Sequence, residues 1–174
     1  MVCLAMVIAP DQFRDEEYLH PKGIFQDAGF DVVTASLTTR SCKGMLGARV
    51  LPDTTVDDLD EEEFDGIVIV GGQGSPVLSE SESLLQLLRD AHAKGKVIAA
   101  ICYGGITLAR SGLVEGKTIS AYKDAFSEPI FKEHGVSFAK DGVTVLHDLR
   151  IVSGQGPAFA KNFGEAIRDL VFEG

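Results

Sequence analysis

Short apolar runs at Val2–Ala9, Asp31–Ala35, Ile67–Val70 and Val97–Ile101 alternate with stretches whose apolar residues recur at helical intervals. Runs of this length suit buried strands, and strands separated by a helix pair in parallel through crossover connections. The alternation therefore predicts β-α-β units around a largely parallel sheet. Helices are predicted over Asp15–Ala28, with Leu19, Ile24 and Ala28 in register and a stop at Gly29, and over Ser81–Ala93, closed by Gly95. A third covers Ile106–Arg110 and ends at Gly112.

Farther along, Ile119–Ala121 reads as a strand and Asp124–His134 as helical. Val143–Leu146 and Arg150–Val152 read as strands joined by a tight turn at His147-Asp148, and a final helix covers roughly Ala158–Phe172. Between Thr38 and Val56 the periodicity weakens, and Lys43-Gly44 and Leu51-Pro52-Asp53 signal turns. A β-hairpin excursion is expected there, before an acidic stretch at Asp57–Glu63 that reads as solvated surface. With 174 residues, 45% of them hydrophobic, and no internal repeat or linker, one domain over residues 1–174 is expected.

Twenty-six acidic residues against 16 basic ones give a net charge of −10, a field that repels phosphate backbones and anionic lipid. Neither nucleic acid nor a membrane is expected as a partner. Three cysteines without a C-x-x-C spacing point to free thiols in a reducing compartment. Val2–Ala9 lacks a basic segment before it and is followed by Asp11, Arg14, Asp15 and Glu16, unlike a signal peptide, so a cytoplasmic location is expected.

The chemistry concentrates where a strand runs into Ala100-Ile101-Cys102-Tyr103-Gly104. A strand before, a helix after and small residues two positions either side of the cysteine make the layout of a nucleophile elbow, with Cys in place of Ser. The sharp turn strains the central residue, and bulky neighbours at ±2 would collide across it. A sulfur at a helix N-terminus is expected to have its pKa lowered from about 8.5, giving a reactive thiolate. The alternative is a small buried residue finishing a strand, which is how Cys3 in the first strand and Cys42 in a loop are read. At the same sheet edge, Gly71-Gly72-Gln73-Gly74 closes the preceding strand. Its N–H groups and that of Tyr103 are candidates for an oxyanion hole, and the missing Lys-Ser/Thr pair rules out a P-loop.

These segments, with Phe13-Arg14-Asp15-Glu16-Glu17 and the turn Gly154-Gln155-Gly156-Pro157, resemble the ThiJ/PfpI superfamily over nearly the whole chain. The resemblance implies a flavodoxin-like, doubly wound α/β fold with helices on both faces of a mostly parallel sheet. It also implies a homodimer or larger assembly, and a protonated glutamate beside the nucleophile, a role that falls to Glu17. Peptidase members of the family carry His directly after the cysteine. This chain has Tyr103, whose reference pKa of about 10 disqualifies it as a base near neutrality.

Of the four histidines, His20 lies three residues from Glu17 on the same predicted helix, as a possible base or as a surface or interface residue. None is spaced as part of a metal-ligand set. The resemblance suggests a cofactor-independent enzyme, glyoxalase-like or deglycase-like. In this reading Cys102 attacks a small carbonyl, Glu17 shuttles the proton, and Gly72 and Tyr103 hold the oxyanion. The alternatives are a cysteine peptidase or amidase acting on peptides, and a sensor or chaperone that uses oxidation of Cys102 without turnover.

Overall fold

A computed structural model describes residues 1–174. In chain order the elements are β1 (Cys3–Val7), β2 (Asp11–Phe13), α1 (Asp15–Asp27), β3 (Asp31–Ser36), β4 (Cys42–Gly44), β5 (Arg49–Val50) and β6 (Thr54–Thr55). There follow β7 (Gly66–Ile69), α2 (Glu82–Ala93), β8 (Val97–Ile101), α3 (Gly104–Ser111), β9 (Thr118–Ile119), α4 (Ser127–Glu133), β10 (Ser137–Phe138), β11 (Val143–Leu146), β12 (Ile151–Gly154) and α5 (Ala160–Phe172). The main sheet runs β11-β12-β8-β7-β1-β3-β6, and every pairing is parallel except that of the edge strand β11 with β12. Its five central strands follow the 2-1-3-4-5 order of the flavodoxin-like fold, with the order reversing between β1 and β7.

Period-two alternation sends neighbouring residues of each strand into opposite layers. Ala5, Val7, Ile67, Ile69, Ile98 and Ala100 pack towards α2, α3 and α4, joining Leu84, Leu88 and Phe131. Leu4, Met6, Val68, Val97, Ala99 and Ile101 pack towards α1 and α5, joining Phe25, Phe163 and Ile167. Each fully buried large apolar side chain contributes about 1.5–3 kcal/mol, so the two layers hold the strand ends in fixed relation. The close contact of α1 with α5 depends on Gly164, where a Cβ would stand 3.0 Å from the Cα of Pro21.

Several expectations need adjustment. The turn between β11 and β12 is a 3₁₀ segment, His147–Leu149, and Arg150 belongs to its end with φ +54°, not to the strand. The strand expected at Ile119–Ala121 is Thr118–Ile119, paired in a separate two-stranded sheet with Ser137–Phe138, which alternation alone did not reveal. The hairpin excursion is present as β4 and β5, with β2 added in parallel to its other side. Asp15 anchors it by accepting N–H bonds from Leu46 (2.9 Å) and Ala48 (2.8 Å). Asp15 is thus a buried tether. No helix is long and apolar enough to cross a membrane.

Candidate active site

Strand β8 delivers Cys102 to the carboxyl edge of the sheet, where its N–H donates to the Gly154 carbonyl at 2.9 Å and its carbonyl accepts from Gly105 at 3.1 Å. The residue sits at φ +59°, the left-handed region that side chains with a Cβ avoid. The elbow is therefore strained as its sequence pattern requires. Gly104 earns its place through the neighbouring strand, because a Cβ there would lie 2.7 Å from the Ile69 carbonyl oxygen.

Gly71 lets the next wall approach. A Cβ at this position would stand 2.5 Å from the Ile101 carbonyl oxygen and 2.6 Å from the Cys102 Cβ, and would overlap the Glu17 Oε1. The same glycine's carbonyl accepts from the Arg14 N–H at 2.9 Å, which fixes the entry to α1. Glu17, on the first turn of that helix, thus arrives beside the sulfur with its side chain fully buried.

Neither carboxyl oxygen of Glu17 meets a partner at hydrogen-bond geometry, though Cys102 and the Gly71 N–H lie near. Burial pushes its pKa up to about 8, against the opposing pull of Cys102, Arg14 and Gly71. A neutral carboxylic acid at pH 7 follows.

The thiol departs from expectation. Burial, with only 8% of the residue exposed, pushes the Cys102 pKa up to about 12, and a charge on Glu17 pushes the same way. The N–H groups of Tyr103 and Gly72 pull it down, but the helix terminus does not outweigh desolvation. The two groups titrate as a pair, whose first proton leaves near the lower value. The lower value is that of Glu17, so the carboxyl is the first of the two to ionise, and the N–H groups of Tyr103 and Gly72 favour a charge on sulfur once its proton leaves.

Beside the pair lies a cavity of about 330 Å³ lined by Arg14, Met45, Gln73, Tyr103, Tyr122 and Asp124, with Gly72, Cys102 and Pro157. Its two charged walls differ. On one, Arg14 Nε and Nη2 bind the Glu16 carboxylate at 2.9–3.2 Å. On the other, the Tyr103 hydroxyl donates to Asp124 Oδ2, and Asp124 Oδ1 accepts the N–H groups of Phe126 (3.0 Å) and Ser127 (2.9 Å). Burial works against the Asp124 charge, but these donors outweigh it and hold its carboxyl below the usual range. Burial and Asp124 push the Tyr103 phenol well above its ordinary value, so it remains a donor.

The structure thus brings Cys102, Glu17, Gly71, Gly72 and Tyr103 together. His20 does not join them: it is exposed on α1 while Glu17 turns inward, and no histidine lines the cavity. Reading the sequence missed Asp124 as a cavity residue. The Asp-x-x-Ser spacing at Asp124–Ser127 signals a helix start, yet nothing local announces a partner 21 residues away. Of the other two cysteines, both read as buried, Cys42 is fully buried but lies in β4 and not in a loop, and Cys3 in β1 is only half-buried.

Comparison with known proteins supports the same architecture. The DJ-1/PfpI family description matches residues 4–170. An uncharacterized protein of Methanocaldococcus jannaschii is 36% identical over 160 residues, covering 91% of this chain and 77% of its own. A Caenorhabditis elegans protein named glutathione-independent glyoxalase is 30% identical, covering 91% and 83%. The crystal structure of a ThiJ/PfpI domain protein from Brachyspira murdochii superposes with a TM-score of 0.91 at 25% identity, covering 98% of this chain and 96% of that one. Because the match runs through the strands presenting Gly71 and Cys102 and through the helix carrying Glu17, the chain belongs to the DJ-1/PfpI family.

Proposed function

We propose that the protein is a cofactor-independent enzyme that converts small α-oxoaldehydes to 2-hydroxy acids through Cys102. The observation that carries this reading is the buried Cys102–Glu17 pair on the wall of a cavity sized for a small molecule, with the acid neutral and lacking hydrogen-bond partners. In the singly ionised pair the Glu17 carboxylate takes the thiol proton as sulfur bonds to the aldehyde carbon and passes it to the aldehyde oxygen, forming a hemithioacetal. The Glu17 carboxylate takes the proton from that carbon and delivers it to the adjacent one, as the hydroxyl proton passes to the second oxygen. The product is a thioester of the 2-hydroxy acid. Water then attacks the thioester, the acid departs, and sulfur and Glu17 return to their starting state.

The N–H groups of Gly72 and Tyr103, which already favour negative charge on sulfur, are placed to favour it on the oxygen bound one atom farther out. A peptidase lacks comparable support, since an amine leaving group needs a positioned acid of the histidine kind and the cavity has none. Methylglyoxal depletion by the wild-type protein and by Cys102→Ser tests the reading. Depletion by the wild type that falls about a thousandfold in the variant is expected. No depletion above buffer, or equal depletion by both proteins, overturns it.

A further inference from the structure

Two ionised residues line the cavity, Arg14 and Asp124, and they are not equivalent. Arg14 is answered by Glu16, which spans its Nε and Nη2. Asp124 has no such answer. No lysine, arginine or histidine stands within ion-pair distance of it, and its sequence neighbour Lys123 turns away, 3.5 Å from Glu128 and over the ring of Phe138. The groups that do contact Asp124 are neutral: the Tyr103 hydroxyl and the backbone N–H groups of Phe126 and Ser127. They orient the carboxylate and leave its charge in place.

Capping of α4 accounts for Oδ1 alone. Oδ2 accepts from the residue that directly follows the nucleophile, itself part of the cavity wall, and it retains lone pairs for a further donor. Flanking it, the rings of Tyr103 and Tyr122 pack edge to face with centroids 5.1 Å apart, and both line the cavity. A carboxylate without a counter-charge, bordered by aromatic rings, favours a cation by direct attraction and by cation–π interaction, and it repels anions.

We propose that Asp124 is the cation-binding end of the substrate cavity, so that the carbonyl compound presented to Cys102 carries an ammonium or guanidinium group. This assignment rests on the reading of Cys102 as a carbonyl-directed nucleophile and adds the charge of its substrate. The cavity of about 330 Å³ confines that substrate to a small molecule or a single side chain.

The test compares two ketones of nearly equal size, protonated aminoacetone and neutral hydroxyacetone, titrated by NMR at pH 7 into Cys102→Ser, where covalent addition is blocked. Aminoacetone is expected to bind about tenfold more tightly, with the preference shrinking as salt is added. Asp124→Asn, which keeps the shape and the capping acceptor, is expected to abolish the preference. Tyr103→Phe, which keeps the charge, is expected to retain it and so controls for disturbance of the loop. Equal affinity for the two ketones, a preference that survives Asp124→Asn, or one that follows the Tyr103 hydroxyl overturns the proposal. Because binding is read without turnover, its failure is separate from failure to consume methylglyoxal.

Discussion

Two carboxyl groups border the same site and are driven in opposite directions. Glu17 reaches the sulfur across Gly71, loses all contact with water and meets no hydrogen-bond partner, and its pKa climbs to about 8. Asp124, which lines the cavity, is partly exposed and accepts three hydrogen bonds, and its pKa falls. In the proposed reaction the contrast separates their work: Glu17 carries a movable proton and Asp124 a fixed charge. Residue type decides little here, since both are carboxylic acids. What differs is burial, complete at Glu17 and partial at Asp124, and then the donors that offset it at Asp124.

The largest expected effect breaks the comparison at Glu17. Its pKa of about 8 in the folded chain stands above a reference of 4.5, so the native state keeps a proton that the unfolded chain releases between those values. Stability is fully present below about 4.5 and is lost as pH rises through about 8. At about 1.4 kcal/mol per unit, the loss is on the order of 5 kcal/mol. Glu17→Gln removes the titrating group, so urea unfolding between pH 5 and 8 is expected to show the variant gaining on the wild type as pH rises. Parallel stability profiles for the two proteins would mean that Glu17 ionises normally, and the contrast between the walls would be gone.

A smaller effect probes the gap that Glu17 crosses. Gly71→Ala adds a methyl group where Glu17, Ile101 and Cys102 already meet, and overpacking of this kind costs about 1–3 kcal/mol. Thermal melting is expected to show that loss, together with a shift in the pH dependence of turnover because the acid is displaced from the sulfur. An alanine variant with wild-type melting temperature and pH profile would show that the approach is loose.

The smallest effect concerns the fixed charge. Tyr103→Phe deletes one hydrogen bond to Asp124 but leaves the backbone donors on Oδ1, so about 1 kcal/mol of stability is expected to go. Spectrophotometric titration of the tyrosines sharpens the point. The phenol that ionises at the highest pH in the wild type is expected to be absent from this variant, and to ionise earlier in Asp124→Asn. An unchanged titration in both variants would detach Tyr103 from Asp124.

The sequence by itself determined the parallel α/β architecture and the elbow, because both are written in short-range patterns. Apolar runs such as Val97–Ile101 and leucines at helical spacing specify strands and helices locally, and the elbow is marked by the small residues Ala100 and Gly104 two positions either side of Cys102. The role of Glu17 became legible through family resemblance, and the collision that requires Gly71 became visible only once its wall was in place. Tertiary structure alone decided the rest. It turned His20 outward, left Cys3 half-buried, raised the Cys102 thiol where a helix terminus suggested lowering, and brought Asp124 to Tyr103. Each depends on which distant segments remove water from a group or supply it with donors. Such desolvation and pairing are properties of the assembled site, which no local stretch of chain encodes.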